Sequence, residues 1–197
     1  MFSNIDTTTA IACIISAIII FIVSLIWVGR KTNSTNTSLK IKKIAYIGII
    51  AAIYAVMTWT VAPISYGAVQ FRISEVLVLL AFVDKLYIPG LFMGCVIANI
   101  ASPFGLVDVI IGSFATLISV YMINKSKNLF VASLWPSIFN AILIGAELYI
   151  AFNLPFLETA AWIAFGEFVV VTCAGYPLFK YGIFKNKRLI SILKISE

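Results

Sequence analysis

The chain alternates between long apolar runs and short polar stretches. A helix needs roughly 20 residues to cross a hydrocarbon layer of about 30 Å, and several runs approach that length. The runs lack the two-residue alternation of barrel strands, so we predict helices and not a β-barrel. Seven helical segments are predicted, at about 10–28, 44–62, 73–83, 86–101, 106–123, 129–151 and 159–180.

Composition identifies the class of protein. Hydrophobic residues make up 62% of the chain and charged residues only 11%, whereas soluble domains carry about 25% charged residues. Such a chain cannot cover itself with polar surface in water. We therefore predict an all-α integral membrane protein.

The first run, 10–28, is predicted to be a retained membrane anchor. It is longer than the apolar core of a signal peptide, no positive region precedes it, and "GRK" follows it in place of a cleavage site. The polar stretch "TNSTNTS" (32–38) then reads as a flexible linker.

Several kinds of chemistry are excluded by what the sequence lacks. It contains no histidine, which removes Ser-His and Cys-His nucleophilic schemes and HExxH zinc sites. It contains no GxxxxGK[ST] motif, so ATP-driven work would need a partner protein. Its three cysteines are widely spaced within apolar runs, which favours buried packing residues over disulfides or a metal site.

The cations predict the topology. With the N-terminus outside and the C-terminus in the cytoplasm, every lysine and arginine except Arg72 falls on the cytoplasmic side. The net charge of +6 therefore reflects topology and attraction to anionic lipid. The basic residues are scattered over four loops, which argues against nucleic-acid binding.

Polar residues interrupt the apolar segments, and by this topology all of them lie in the outer half of the membrane. A carboxylate at mid-helix depth costs about 2.5–3.5 kcal/mol on insertion scales, so it normally faces a bundle interior, a cavity or a partner. The pattern predicts a cup that opens outward and is closed below. The candidate binding residues are Arg72, Glu75, Asn99, Asp108, Asn140, Glu147 and Glu167.

Some of these residues also have purely structural interpretations. Arg72 and Glu75 have the spacing of a local ion pair at a helix start. Asp108 is placed to cap a helix, and Asn99 is placed to make an interhelical hydrogen bond. The sequence leaves these alternatives open.

The predicted cup favours a flat ligand with N–H donors. Trp162 and Tyr149 lie near the acids at a depth where an aromatic ring could stack on such a ligand, although both could belong to interfacial belts. A carboxylate accepts two adjacent N–H groups at once, as a guanine-like edge offers, and a second acid would suit an ammonium group. An anionic vitamin would fit poorly.

Small residues repeat at four-residue spacing, which lets helices approach closely within a membrane. Gly48 and Ala52 form one such pair, and Ala51 and Ala55 form a second; both are candidates for docking a partner. The series at 90, 94 and 98 is predicted to pack within the chain.

Two stretches carry a resemblance to a known family. "APISYGAVQFRISEVLVLL" and "IPGLFMGCVIANIASPFGLVDVIIGSFATL" resemble QueT-type queuosine-precursor transporters, which are substrate-binding S components of energy-coupling-factor (ECF) transporters. The likeness covers about residues 41–185 and is strongest over 62–117. It implies a six-helix substrate-binding membrane domain at 41–197. Residues 1–40, an extra transmembrane helix and polar linker, depart from this family pattern.

The resemblance also implies partners, a ligand and a location. The chain would lie in a bacterial cytoplasmic membrane, together with a transmembrane T component and two cytosolic ATPases. The ATPases would use ATP, so the chain itself would need no cofactor and would not be an enzyme. Ala51 and Ala55 would dock the T component, and the turn ending at Arg72 would act as a lid over the site, with Arg72 and Glu75 as lid-hinge and site residues. The ligand would be a 7-deazaguanine precursor of queuosine or queuine. Our own hypothesis is that Glu167 or Glu147 grips the guanine edge of this ligand, while another acid meets its exocyclic amine. The alternatives are an S component for another vitamin-like molecule, an intramembrane enzyme and an assembly subunit.

Overall fold

The computed structural model describes residues 37–66 and 70–195 of the chain. Within these residues all regular structure is helical and no strand is present, as predicted. The predicted segment 10–28 lies outside the described residues, so the seventh membrane helix remains a prediction.

The helices follow the predicted segments closely. A 3₁₀ helix, Ile73–Leu79, runs directly into the α-helix Leu80–Val83. The α-helix Phe156–Glu167 continues as wider π-helical turns over Phe168–Gly175 and Leu178–Ile183. The α-helices are α1 (Thr37–Thr60), α2 (Ala62–Ser65), α3 (Leu80–Val83), α4 (Tyr87–Ile100), α5 (Leu106–Lys125), α6 (Leu129–Phe152), α7 (Phe156–Glu167) and α8 (Lys187–Leu193).

Within the described residues, four helices are long and apolar enough to cross a membrane: Ile41–Thr60, Leu106–Lys125, Leu129–Phe152 and Phe156–Ile183. The bundle is apolar on its outside as well, with exposed side chains such as Ile49, Phe114 and Ile142. Large apolar residues on the outer surface are expected where lipid, and not water, surrounds the bundle. The structure therefore supports a multi-pass membrane protein.

Two apolar helices are shorter, Ile73–Val83 and Tyr87–Ile100. At about 2.0 Å per residue for 3₁₀ and 1.5 Å for α-helix, each rises roughly 20 Å, less than the hydrocarbon thickness. They are joined at the end of the bundle where the short loops carry lysines, which we call the basic end. The N-terminal end of Ile73–Val83 and the C-terminal end of Tyr87–Ile100 therefore stop inside the bundle. Polar residues near these two ends lie beneath the surface of the bundle that is opposite the basic end.

Close helix packing explains one of the small-residue series. A Cβ added to Gly94 of α4 would lie 2.6 Å from the Tyr54 Cβ and 2.9 Å from the Ala51 carbonyl oxygen on α1. A Cβ on Gly90 would lie 2.8 Å from the Ile47 carbonyl oxygen. The prediction that the glycine series of α4 packs within the chain is confirmed.

The two candidate docking pairs lie on neighbouring faces of α1. Ala51 and Ala55 are buried, with 6% and 2% of their surface exposed, whereas Gly48 and Ala52 are exposed. The Ala51 carbonyl oxygen packs against Gly94 of α4 and Ala55 is buried, so this pair is less accessible, and its docking role stays a prediction. The pair Gly48 and Ala52 remains accessible, and a Cβ on Gly48 would meet no atom within 4 Å.

Candidate functional site

The predicted polar residues converge in the half of the bundle opposite the basic end. Arg72 precedes the 3₁₀ helix, Asn99 lies in the last turn of α4, and Asp108 lies in the first turn of α5. Glu147 and Glu167 come from α6 and α7. We call the set Arg72, Glu75, Asn99, Asp108, Asn140, Glu147 and Glu167 the polar cluster. Each of its members is at most 1% exposed.

Arg72 pairs with a distant acid. Its Nη2 lies 3.3 Å from Asp108 Oδ2, and its guanidinium stands 5.5 Å from the centre of the Tyr66 ring. Glu75, the candidate for a local ion pair, instead accepts a hydrogen bond from the Tyr54 hydroxyl of α1. The local pairing considered for Arg72 and Glu75 is thus replaced by two contacts that join separate helices.

Asp108 belongs to this ion pair and does not cap its helix. The N-cap of α5 is Gly105, and no side-chain capping bond is formed there. Asn99 Nδ2 donates to the Asp108 backbone oxygen at 3.1 Å, which confirms an interhelical hydrogen bond. Gly112 leaves the room for this arrangement, because a Cβ there would lie 2.9 Å from Asn99 Nδ2 and would overlap Asp108 Oδ1.

The end of α1 and the turn after it contact the C-terminal end of α4. Tyr66 donates its hydroxyl to the Ala98 backbone oxygen at 2.5 Å, and Trp59 Nε1 donates to the same oxygen at 3.2 Å. Gln70 follows with a φ of 48° and is 1% exposed. Tyr66, whose ring faces the Arg72 guanidinium, therefore helps to shield Arg72 at this end of the bundle.

The two acids of α6 and α7 have different surroundings. Asn140 Nδ2 donates to Glu167 Oε1 at 2.8 Å, which leaves Glu167 Oε2 and Asn140 Oδ1 without hydrogen-bond partners among the described residues. Neither carboxylate oxygen of Glu147 has a hydrogen-bond partner within residues 37–66 and 70–195. A buried polar atom without a partner costs about 1–3 kcal/mol, so such atoms in one region indicate a ligand site.

The polar cluster is also unbalanced in charge. It contains one guanidinium and four carboxyl groups, and Arg72 interacts electrostatically with Glu75, Glu147 and Glu167 as well as with Asp108. A buried negative charge without a partner is costly, so the cluster favours bound protons or a cationic ligand.

Trp162 is the predicted ligand contact that the structure does not bring to the cluster. Its residue is 47% exposed, and its ring contacts Phe165 edge-on at 6.3 Å between centroids. Glu167 lies on the buried face of the same helix. The stacking role of Trp162 stays a prediction, and its position on the exposed face of α7, away from Glu167, does not favour that role.

Sequence reasoning missed some of the polar residues around the site. Tyr54 and Gln70 are both buried, and Thr58 bonds Ser74 at 2.6 Å beside them. The signal available in the sequence was spacing: Tyr54 and Thr58 are four residues apart, so they share a helix face. Tyrosine and threonine are common enough in membrane helices that this spacing alone did not identify a site.

The comparisons with known proteins agree with one another. The family model described as QueT transporter matches residues 44–182. A curated protein of Lactococcus lactis subsp. cremoris, named queuosine precursor transporter QueT, is 36% identical over 158 residues, covering 71% of this chain and 91% of the relative. No solved structure matches the chain.

Proposed function

The chain belongs to the QueT transporter family, and we propose that it is the membrane-embedded substrate-capture subunit of an ECF importer for queuosine precursors. The polar cluster is the binding site, and it faces the outside. The basic end faces the cytoplasm, in accord with the positive-inside rule. The unpartnered carboxyl oxygens of Glu147 and Glu167 carry this proposal.

The ligand chemistry fits these atoms. A 7-deazaguanine presents two adjacent N–H donors on its guanine edge, and Glu147 has two unpartnered oxygens that can accept both. An aminomethyl substituent adds an ammonium group, whose three donors suit Glu167 Oε2 and Asn140 Oδ1. The cationic ligand would also offset the negative charge of the polar cluster.

Competition for uptake tests the substrate. Cells that depend on this protein should take up labelled aminomethyl deazaguanine, and excess unlabelled aminomethyl compound or queuine should compete. The neutral cyano analogue should compete at least tenfold less well, because it lacks the positive charge. If only an unrelated vitamin competes, the protein is an S component for another small molecule; if guanine competes equally, the charge argument fails.

Energy coupling requires partners, and the exposed small residues of α1 are the proposed contact. Gly48 and Ala52 lie on a face where a second helix can approach closely. A tagged chain should recover a T component and two ATPases from its native membrane. Ala52→Leu should reduce that recovery several-fold, while Ala151→Leu, at an exposed site on α6, should not. Equal recovery from both variants would place the docking surface elsewhere.

A further inference from the structure

A groove lies at the basic end of the bundle, far from the polar cluster. It has a volume of about 370 Å³. It is formed where α3, the start of α6 and the π-helical end of the last long helix meet. Its lining residues are Phe82, Asn128, Leu129, Tyr176, Lys180 and Phe184.

One wall of the groove is apolar. The Phe82 and Phe184 rings meet edge-on at 5.9 Å between centroids, and Leu129 completes the apolar lining. In a bundle surrounded by lipid, such a surface is suited to the part of an acyl chain that is nearest the lipid headgroup. A soluble anion alone would leave this wall uncovered.

The other wall carries a donor pair. Lys180 Nζ donates to the Tyr176 hydroxyl oxygen at 2.7 Å and stands 5.1 Å from the centre of that ring. The tyrosine hydroxyl proton and the two remaining lysine N–H groups can therefore reach one acceptor that lies between them. A phosphate oxygen carries the negative charge and the lone pairs that can accept hydrogen bonds from these lysine and tyrosine donors.

The neighbouring charges have the same sign. Lys127 directly precedes Asn128, and Lys185 directly follows Phe184; both are exposed. Basic residues at the membrane surface attract anionic lipid. The groove therefore complements a ligand with a negative head and an apolar tail.

We propose that this groove is a binding site for one anionic phospholipid. The phosphate binds Lys180 and Tyr176, and an acyl chain lies along Phe82, Leu129 and Phe184. The lipid bridges the 3₁₀–α3 segment to the last long helix at the basic end. This site is separate from the polar cluster and does not depend on what the polar cluster binds.

Native mass spectrometry of the full-length chain tests the proposal. Detergent-solubilised protein is mixed with equal amounts of phosphatidylglycerol and phosphatidylcholine. One phosphatidylglycerol should remain bound with at least fivefold preference, and glycerol 3-phosphate should neither bind nor compete. Lys180→Gln should remove most of that preference, whereas Lys42→Gln, at an exposed lysine outside the groove, should preserve it.

Three outcomes would overturn the proposal. Equal retention of both lipids would show that the groove does not select charge. Binding of glycerol 3-phosphate alone would show a site for a soluble phosphate. If Lys180→Gln leaves lipid retention unchanged but weakens recovery of partner subunits, the groove is a protein-docking surface.

Discussion

Replacing Arg72 by methionine should lower the free energy of unfolding by about 3–5 kcal/mol, because removal of one partner leaves a buried charge uncompensated. Asp108 is 0% exposed and lies 3.3 Å from the guanidinium, so it has no access to water when the arginine is lost. Chemical or thermal unfolding of the purified protein in detergent measures the effect. Arg188→Met, at an exposed arginine of the basic end, should change stability by less than about 0.5 kcal/mol.

A second substitution separates charge from packing. Asp108→Asn in the Arg72→Met background removes the uncompensated carboxylate and should recover a large part of the lost stability. Recovery should be incomplete, because Arg72 also acts on Glu75, Glu147 and Glu167. A loss below about 1 kcal/mol in the single variant would mean that the ion pair stabilises the protein no more than an exposed pair does.

The sequence predicted the helices well because lipid imposes a strong constraint. A membrane helix must satisfy its own backbone hydrogen bonds, so apolar run length translates almost directly into helix length. The predicted segment 129–151 and the observed Leu129–Phe152 differ by one residue. The same constraint made buried acids conspicuous, and seven of the eight candidate binding residues lie in one buried cluster.

Pairings within the cluster could not be predicted in the same way. The spacing of Arg72 and Glu75 is compatible with a local ion pair. The sequence is equally compatible with the observed contact from Arg72 to Asp108, which is 36 residues away. Choosing between them requires the relative positions of the 3₁₀ helix and α5. These depend on side-chain packing between segments, which hydropathy does not encode.

Helix orientation was ambiguous for a related reason. The pairs Gly48 with Ala52 and Ala51 with Ala55 have identical spacing and lie on adjacent faces of α1. Either pair could contact α4, and only the fit of Gly94 against Tyr54 and Ala51 decides it. Trp162 is similar, because an aromatic residue near a helix end fits an interfacial belt and a binding site equally well.

The two unpartnered acids should give separable effects on ligand affinity. In Glu147→Gln, an amide N–H₂ group faces the N–H donors of the guanine edge. Affinity should therefore fall about 100-fold for cationic and neutral deazaguanines alike, because each charged hydrogen bond that is lost contributes roughly 1.5–3 kcal/mol. In Glu167→Gln, affinity for the aminomethyl compound should fall by a similar factor, while affinity for the cyano analogue should change less than threefold. Equilibrium binding to the purified protein measures all four values.

This comparison tests the roles of the acids and not merely their presence. Both substitutions preserve side-chain volume and remove a carboxyl group from the same buried region, so a general loss of folding would affect the two ligands equally in both variants. Thermal unfolding of each variant without ligand provides that control. If Glu167→Gln weakens the neutral and cationic ligands to the same extent, Glu167 does not contact the ammonium group. If Glu147→Gln leaves both affinities unchanged, the guanine edge binds elsewhere in the polar cluster, and Glu147 is buried for a structural reason alone.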